Sequence, residues 1–222
     1  MKKYILLMIA GLLILFSICI DLAPNLILPI KEKLIIYIIA MLLVYIDTKM
    51  KNKREENKIE KNRKRGITLI FIIYSILLVT LLFFDGNYRR MRFEGQIKIF
   101  SKEHFEFYSN IVPFATITNF FTKYIENNIN LSIVVTNILG NIIAFAPFGI
   151  FLPILYKDKI DNIKKFTLTM IIIVFIVECI QFITKSGTFD VDDIILNVLG
   201  ATIMYGITRI KKVKELIEKI LI

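Results

Sequence analysis

Two carboxylates, Glu178 and Asp193, stand in or at the edge of long apolar runs, with the amides Asn137, Asn141, Gln181 and Asn197 in the same runs and Asp190 and Asp192 just ahead of Asp193. An ionisable group at membrane depth costs several kcal/mol unless it is paired or faces water, so it marks a functional site by default. No basic residue of its own run lies within a turn of Glu178. Its charge must therefore be met by another helix, by a cation or by a proton. A carboxylate in that position suits general acid or base work, with Asp193 as its partner. Asn137, Asn141, Gln181, Asp190 and Asn197 are the matching candidates for holding a substrate. A Glu, an Asp and two amides also suit a hard cation, but no Cys/His spacing, Gly-rich phosphate loop or Ser elbow is present, and no metal or cofactor is assigned.

Plainer roles compete for the same residues. The asparagines can hydrogen-bond across helices, Asp190 and Asp192 can be solvated turn residues, and Asp193 can cap the helix it opens. His104, the single histidine, is expected at the surface, and Cys19 and Cys179 are expected as small packing residues.

The elements that must position these groups follow from composition. The chain has 222 residues, 56% of them hydrophobic, and a mean hydropathy of +0.65, well beyond a soluble domain. Apolar runs of about 17 to 25 residues recur, the length that crosses a bilayer as a helix. The expected fold is an all-α polytopic membrane bundle with about six spans, near 4–20, 34–46, 67–84, 131–156, 166–183 and 194–208. The loop 85–130 between the third and fourth spans is rich in aromatic residues, Phe93 to Tyr124 among them, and is expected to form amphipathic helical pieces at the outer surface.

The net charge of +10 lies mainly in the segments between spans, which argues against nucleic acid as a partner. Residues 49–65 hold nine Lys and Arg against three Glu. The start (Lys2, Lys3), the turn 157–165 and the tail from Arg209 are also net positive, whereas the intervening segments are neutral or acidic. The positive-inside rule then puts both termini in the cytoplasm and Glu178, Asp193, Asn137, Asn141 and Asn197 in the outer third of the bilayer. The first run has no Ala-x-Ala cleavage pattern, so it is expected to remain as a span. Gly140, Gly149 and Gly200 are the small residues expected to let the polar helices approach. Asn137-Ile138-Leu139-Gly140 is echoed by Asn197-Val198-Leu199-Gly200. Three segments result: an N-terminal hairpin with its basic loop (1–66), the membrane domain (67–210) and a basic tail (211–222).

Four ordered blocks over about the last 110 residues resemble the VanZ-like family of bacterial membrane proteins. They are Asn110-Ile111-Val112-Pro113-Phe114 with Thr116; Asn137 to Asn141 leading to Phe145, Pro147, Phe148 and Gly149; Glu178 with Gln181; and Phe189 to Asp193 with Asn197 and Gly200. The resemblance adds Asn110 to the substrate-binding candidates. It implies a multi-pass protein of the bacterial plasma membrane and cell envelope, in a family whose namesake is associated with reduced susceptibility to teicoplanin and similar glycopeptides. Many members carry an arginine ahead of the acidic block, where this chain has Lys185-Ser186-Gly187-Thr188. The leading expectation is a protein that binds a membrane lipid or lipid-linked cell-wall intermediate in an outward polar cavity. The alternatives are a membrane enzyme using Glu178 and Asp193 on a lipid-linked substrate, and a proton-linked transporter using Glu178.

Overall fold

The computed structural model describes residues 4–23, 26, 28–84 and 99–221. Phe93 and its neighbours lie outside the described residues. The chain is an all-α helical membrane protein that divides into two compact units, residues 1–90 with 215–222, and residues 91–214. Among the described residues, five helical segments are long and apolar enough to cross a membrane: Ile5–Leu22, Glu56–Phe83, Leu131–Leu155, Ile163–Thr184 and Val191–Thr208.

In the first unit, α1 (Ile5–Leu22), α2 (Ile30–Arg54) and α3 (Ile59–Phe83) pack in sequence. The expected span 34–46 is the middle of α2, whose ends carry Lys31, Glu32 and Lys33 at one side and Asp47 to Arg54 at the other. The basic stretch 49–65, read from sequence as a loop, is mostly helix. Its Lys, Arg and Glu residues are good helix formers, and they extend α2 and α3 until a short 3-10 turn, Glu56–Lys58, reverses the chain. The core of the unit is Ala10, Tyr37, Ala40, Val44, Ile73 and Leu77. Large apolar side chains such as Met8, Leu12, Phe16, Ile35 and Leu42 point outward, the reverse of a soluble surface and suited to acyl chains.

In the second unit, the loop after the third span contains two helices, α4 (Lys102–Tyr108) and α5 (Ala115–Ile125), joined through the two-residue strand β1 (Ser109–Asn110). The apolar run 131–156 is broken into α6 (Leu131–Ala144) and α7 (Phe148–Leu155). Pro147 has no N–H to continue α6 and starts α7 as its N-cap residue. Then come α8 (Ile163–Thr184), β2 (Phe189–Asp190) and α9 (Val191–Thr208), followed by the basic amphipathic α10 (Lys211–Leu221), which from residue 215 on belongs to the first unit.

α9 is the element that touches α6, α7 and α8. Two glycines make this approach possible. A Cβ on Gly200 would strike the Ile142 carbonyl, and one on Gly149 would sit 2.5 Å from the Ala201 carbonyl oxygen. Gly140, expected to share this role, takes no part, since a Cβ there would meet nothing within 4 Å. Stacking of Phe166 on Tyr205, with ring centroids 4.5 Å apart, fixes α8 against the other end of α9.

Candidate functional site

The polar residues of the second unit gather where α8 ends and α9 begins. α8 stops at Lys185, which takes up the left-handed conformation with φ 54°. After a short turn, β2 pairs in parallel with β1, in the register Ser109–Phe189 and Asn110–Asp190. This bridge brings a segment 80 residues earlier in the chain onto the acidic block.

Asp190 and Asp192 are the clamps of that junction. Asp190 is the N-cap of α9, accepting from the Asp192 backbone N–H at 2.8 Å. It also accepts from Thr116 Oγ1 at 2.5 Å and Asn110 Nδ2 at 3.2 Å. Asn110 in turn donates to Thr116 Oγ1 at 2.7 Å and accepts from the Val112 N–H at 3.2 Å. Asp192 is fully buried and accepts from the N–H groups of Phe114, at 2.5 Å, and Ile117, at 3.0 Å. Those are two of the donors that the start of α5 leaves unsatisfied, and a carboxylate there also meets the positive end of the helix.

These findings change three expectations. Asp190 and Asp192 are buried anchors, not solvated turn residues. The cap of α9 is Asp190, so the helix starts at Val191, ahead of Asp193. His104 is fully buried, not at the surface. It packs against Phe182 with ring centroids 4.2 Å apart and the rings tilted by 49°, and its Nδ1 accepts from the Phe100 N–H at 3.3 Å. Its Nε2 makes no hydrogen bond. Burial, aided by the Lys185 charge, lowers its pKa below the ordinary histidine value, against a smaller opposing effect of the Phe182 backbone.

Released from the capping role, Asp193 reaches α6, where its Oδ1 accepts a short hydrogen bond from Asn141 Nδ2. Glu178, 2% exposed, comes from α8, and its Oε2 accepts from the Asp190 N–H at 3.1 Å. Asp193 and Asp190 are acidic neighbours of Glu178, and Asp190 and Asp192 are acidic neighbours of Asp193. Like charges about 4 Å apart repel by roughly 4 kcal/mol at an effective dielectric near 20. The cluster therefore leans on backbone N–H groups, amides and hydroxyls.

Asn197 lies one turn below Asp193 and one turn above Gly200 on the same stripe of α9. Asp193 and Gly200 both meet α6, at Asn141 and Ile142, so Asn197 faces the seam between these contacts. It is 4% exposed, and its Oδ1 is buried without a hydrogen-bond partner among the described residues.

The structure thus brings together Glu178, Asp193, Asn141 and Asn197 from three helices, with Asp190 and Asn110 immediately beside them. It separates Asn137 from them. Asn137 is exposed on α6 and donates to its own helix, to the Ile133 carbonyl at 2.7 Å. Gln181 lies against the turn, its Nε2 3.0 Å from where a Cβ on Gly187 would be. Thr116 was missed as a site residue, although its place six residues after Asn110 is the spacing the Asp190 clamp uses. Among the described residues no group of three His, Cys, Asp or Glu side chains is arranged to hold a metal ion.

A family model described as VanZ/LLP1 matches residues 71–212, from the second half of α3 to the start of α10. The chain belongs to the VanZ/LLP1 family. The whole α8–β2–α9 junction lies inside the VanZ/LLP1 match, whereas α1 and α2 precede it. The chain is also similar to Protein VanZ of Enterococcus faecium, with 25% identity over 162 residues that cover 71% of this chain and 83% of that protein. No solved structure is a significant match.

Proposed function

We propose that this VanZ/LLP1 protein binds the head group of a membrane lipid or lipid-linked cell-wall intermediate at the seam of α6, α8 and α9, and thereby reduces susceptibility to teicoplanin-type glycopeptides. The observation that carries the reading is the meeting of Asp193 with Asn141 beside Glu178 and Asn197. The junction has amides and carboxylates in one place within helices long and apolar enough for a membrane, a combination that selects a ligand with a polar head and apolar chains. The charge distribution supports a plasma-membrane orientation with both termini cytoplasmic and the seam near the outer face.

The test is teicoplanin susceptibility of a bacterial host carrying the wild type or the Glu178→Gln/Asp193→Asn double variant at equal membrane abundance. The reading expects the wild type to reduce susceptibility and the double variant to lose most of that effect. A wild type that leaves susceptibility unchanged contradicts it.

A second reading, acid–base catalysis on a lipid-linked substrate, is favoured by the closeness of two carboxylates on facing helices. In that case Glu178 and Asp193 exchange protons with substrate while Asn141 and Asn197 orient it. Recovery of amphiphile altered in mass after incubation with purified protein distinguishes turnover from binding, which returns it unchanged.

A further inference from the structure

The polarity of the seam specifies the head group. Its carboxylates, Glu178 and Asp193, are surrounded by further negative charge from Asp190 and Asp192. The donors that serve the acids are already engaged: Asn141 on Asp193, the Asp190 N–H on Glu178, and the Phe114 and Ile117 N–H groups on Asp192. Independently of the acids, Asn197 turns a buried carbonyl oxygen into the same seam with no donor to meet it. A buried acceptor without a donor calls for a water or a ligand that supplies one. Asp193 and Asn141 are only partly buried, whereas Glu178, Asp190, Asp192 and Asn197 are buried, so the Asp193–Asn141 contact is the more accessible side of the seam.

We propose that the group received between Glu178, Asp193 and Asn197 is a hydrogen-bond-donating cation, a primary ammonium carried by an amphiphile, and not a phosphate or carboxylate. This rests on the binding reading above and narrows it. An ammonium has three donors and no acceptor, which matches two carboxylates and one amide oxygen. A phosphate would bring negative charge and acceptors to a place that already has an excess of both. In a phosphatidylethanolamine-like lipid the amine occupies the seam and the phosphate remains outside the Asp193–Asn141 contact.

The full-length protein, purified and offered phosphatidylethanolamine, its N-acetylated form, phosphatidylcholine and phosphatidylglycerol with identical acyl chains, is read by native mass spectrometry. The expected result is phosphatidylethanolamine retained at least about fivefold over each of the others, with the preference falling to near one in Glu178→Gln and in Asp193→Asn. Circular dichroism confirms that each variant is folded, and the selectivity of the wild type stands as a test without them. Equal or greater retention of phosphatidylglycerol by the wild type overturns the ammonium proposal and leaves amphiphile binding in place. Retention of none of the four overturns both. Soluble ethanolamine is a separate arm: displacement of the lipid only at large excess supports an amphiphile, and displacement at equimolar concentration overturns that part in favour of a free amine.

Discussion

Among the described residues, the buried charges of the N-terminal unit occur as opposite pairs, Lys33 with Asp21 at 2.8 Å and Lys51 with Asp47 at 2.6 Å. In the second unit Glu178, Asp190, Asp192 and Asp193 are instead acidic neighbours, met by N–H groups, amides and a hydroxyl. The Lys33–Asp21 pair joins α1 to α2, and the Lys51–Asp47 pair spans one turn of α2. Acids met by dipoles keep oxygen atoms that can act on something from outside the chain. That difference separates an anchoring role from a binding role within one molecule.

The largest effect is expected from breaking a pair. Lys33→Met leaves Asp21 buried without its cation and should destabilise the protein by about 3–5 kcal/mol, while adding Asp21→Leu should restore most of the loss. Equilibrium unfolding of the purified protein measures both. If the double substitution does not recover stability, loss of the Lys33–Asp21 ion pair is not what destabilises the single variant.

Asp192→Ala should cost about 3 kcal/mol, because the Phe114 and Ile117 N–H groups lose a charged acceptor. Asp192→Asn keeps an acceptor and should cost less. If Asp192→Ala is neutral in the same unfolding assay, the acidic block does not anchor α5.

Gly200→Ala should lower stability by about 2 kcal/mol, since α9 must move off the Ile142 carbonyl. Gly140→Ala should be neutral or stabilise by up to about 1 kcal/mol, because that side of α6 is open. Equal penalties at the two glycines would contradict the α6–α9 seam.

The smallest effect concerns His104. Its folded pKa is below the ordinary value near 6.5, so the unfolded chain binds more protons in the window between the two. Stability is therefore greatest above about pH 6.5 and falls as the pH drops below it, reaching a floor once the folded pKa is passed. His104→Phe should remove this contribution to the slope of unfolding free energy against pH.

Much of the architecture was legible because span length is fixed by bilayer thickness, and each apolar run became helix at close to its expected place. Glu178, Asp193, Asn141 and Asn197 were legible as a group because polar side chains stand out against lipid-like neighbours. The echo between Asn137 and Asn197 shows where that reasoning stops. Both precede a Gly by three residues, yet Asn197 is buried above a tight glycine contact and Asn137 is exposed beside an open one. Helix rotation decides between them, and α6 shows no periodic stripe strong enough to fix it. The burial of His104 and the Asn110–Asp190 pairing depend on a short strand bridge across 80 residues, which no local pattern signals.

The central claim is that the α6–α8–α9 seam receives a head group. Native mass spectrometry of the protein purified from its own membrane, wild type against Asn197→Leu, tests it most directly: Leu keeps the volume and removes the unmet acceptor without touching the acids. The account predicts an amphiphile adduct on the wild type that is reduced at least about fivefold in the variant. An adduct retained equally by both, or a wild type with no adduct, contradicts it.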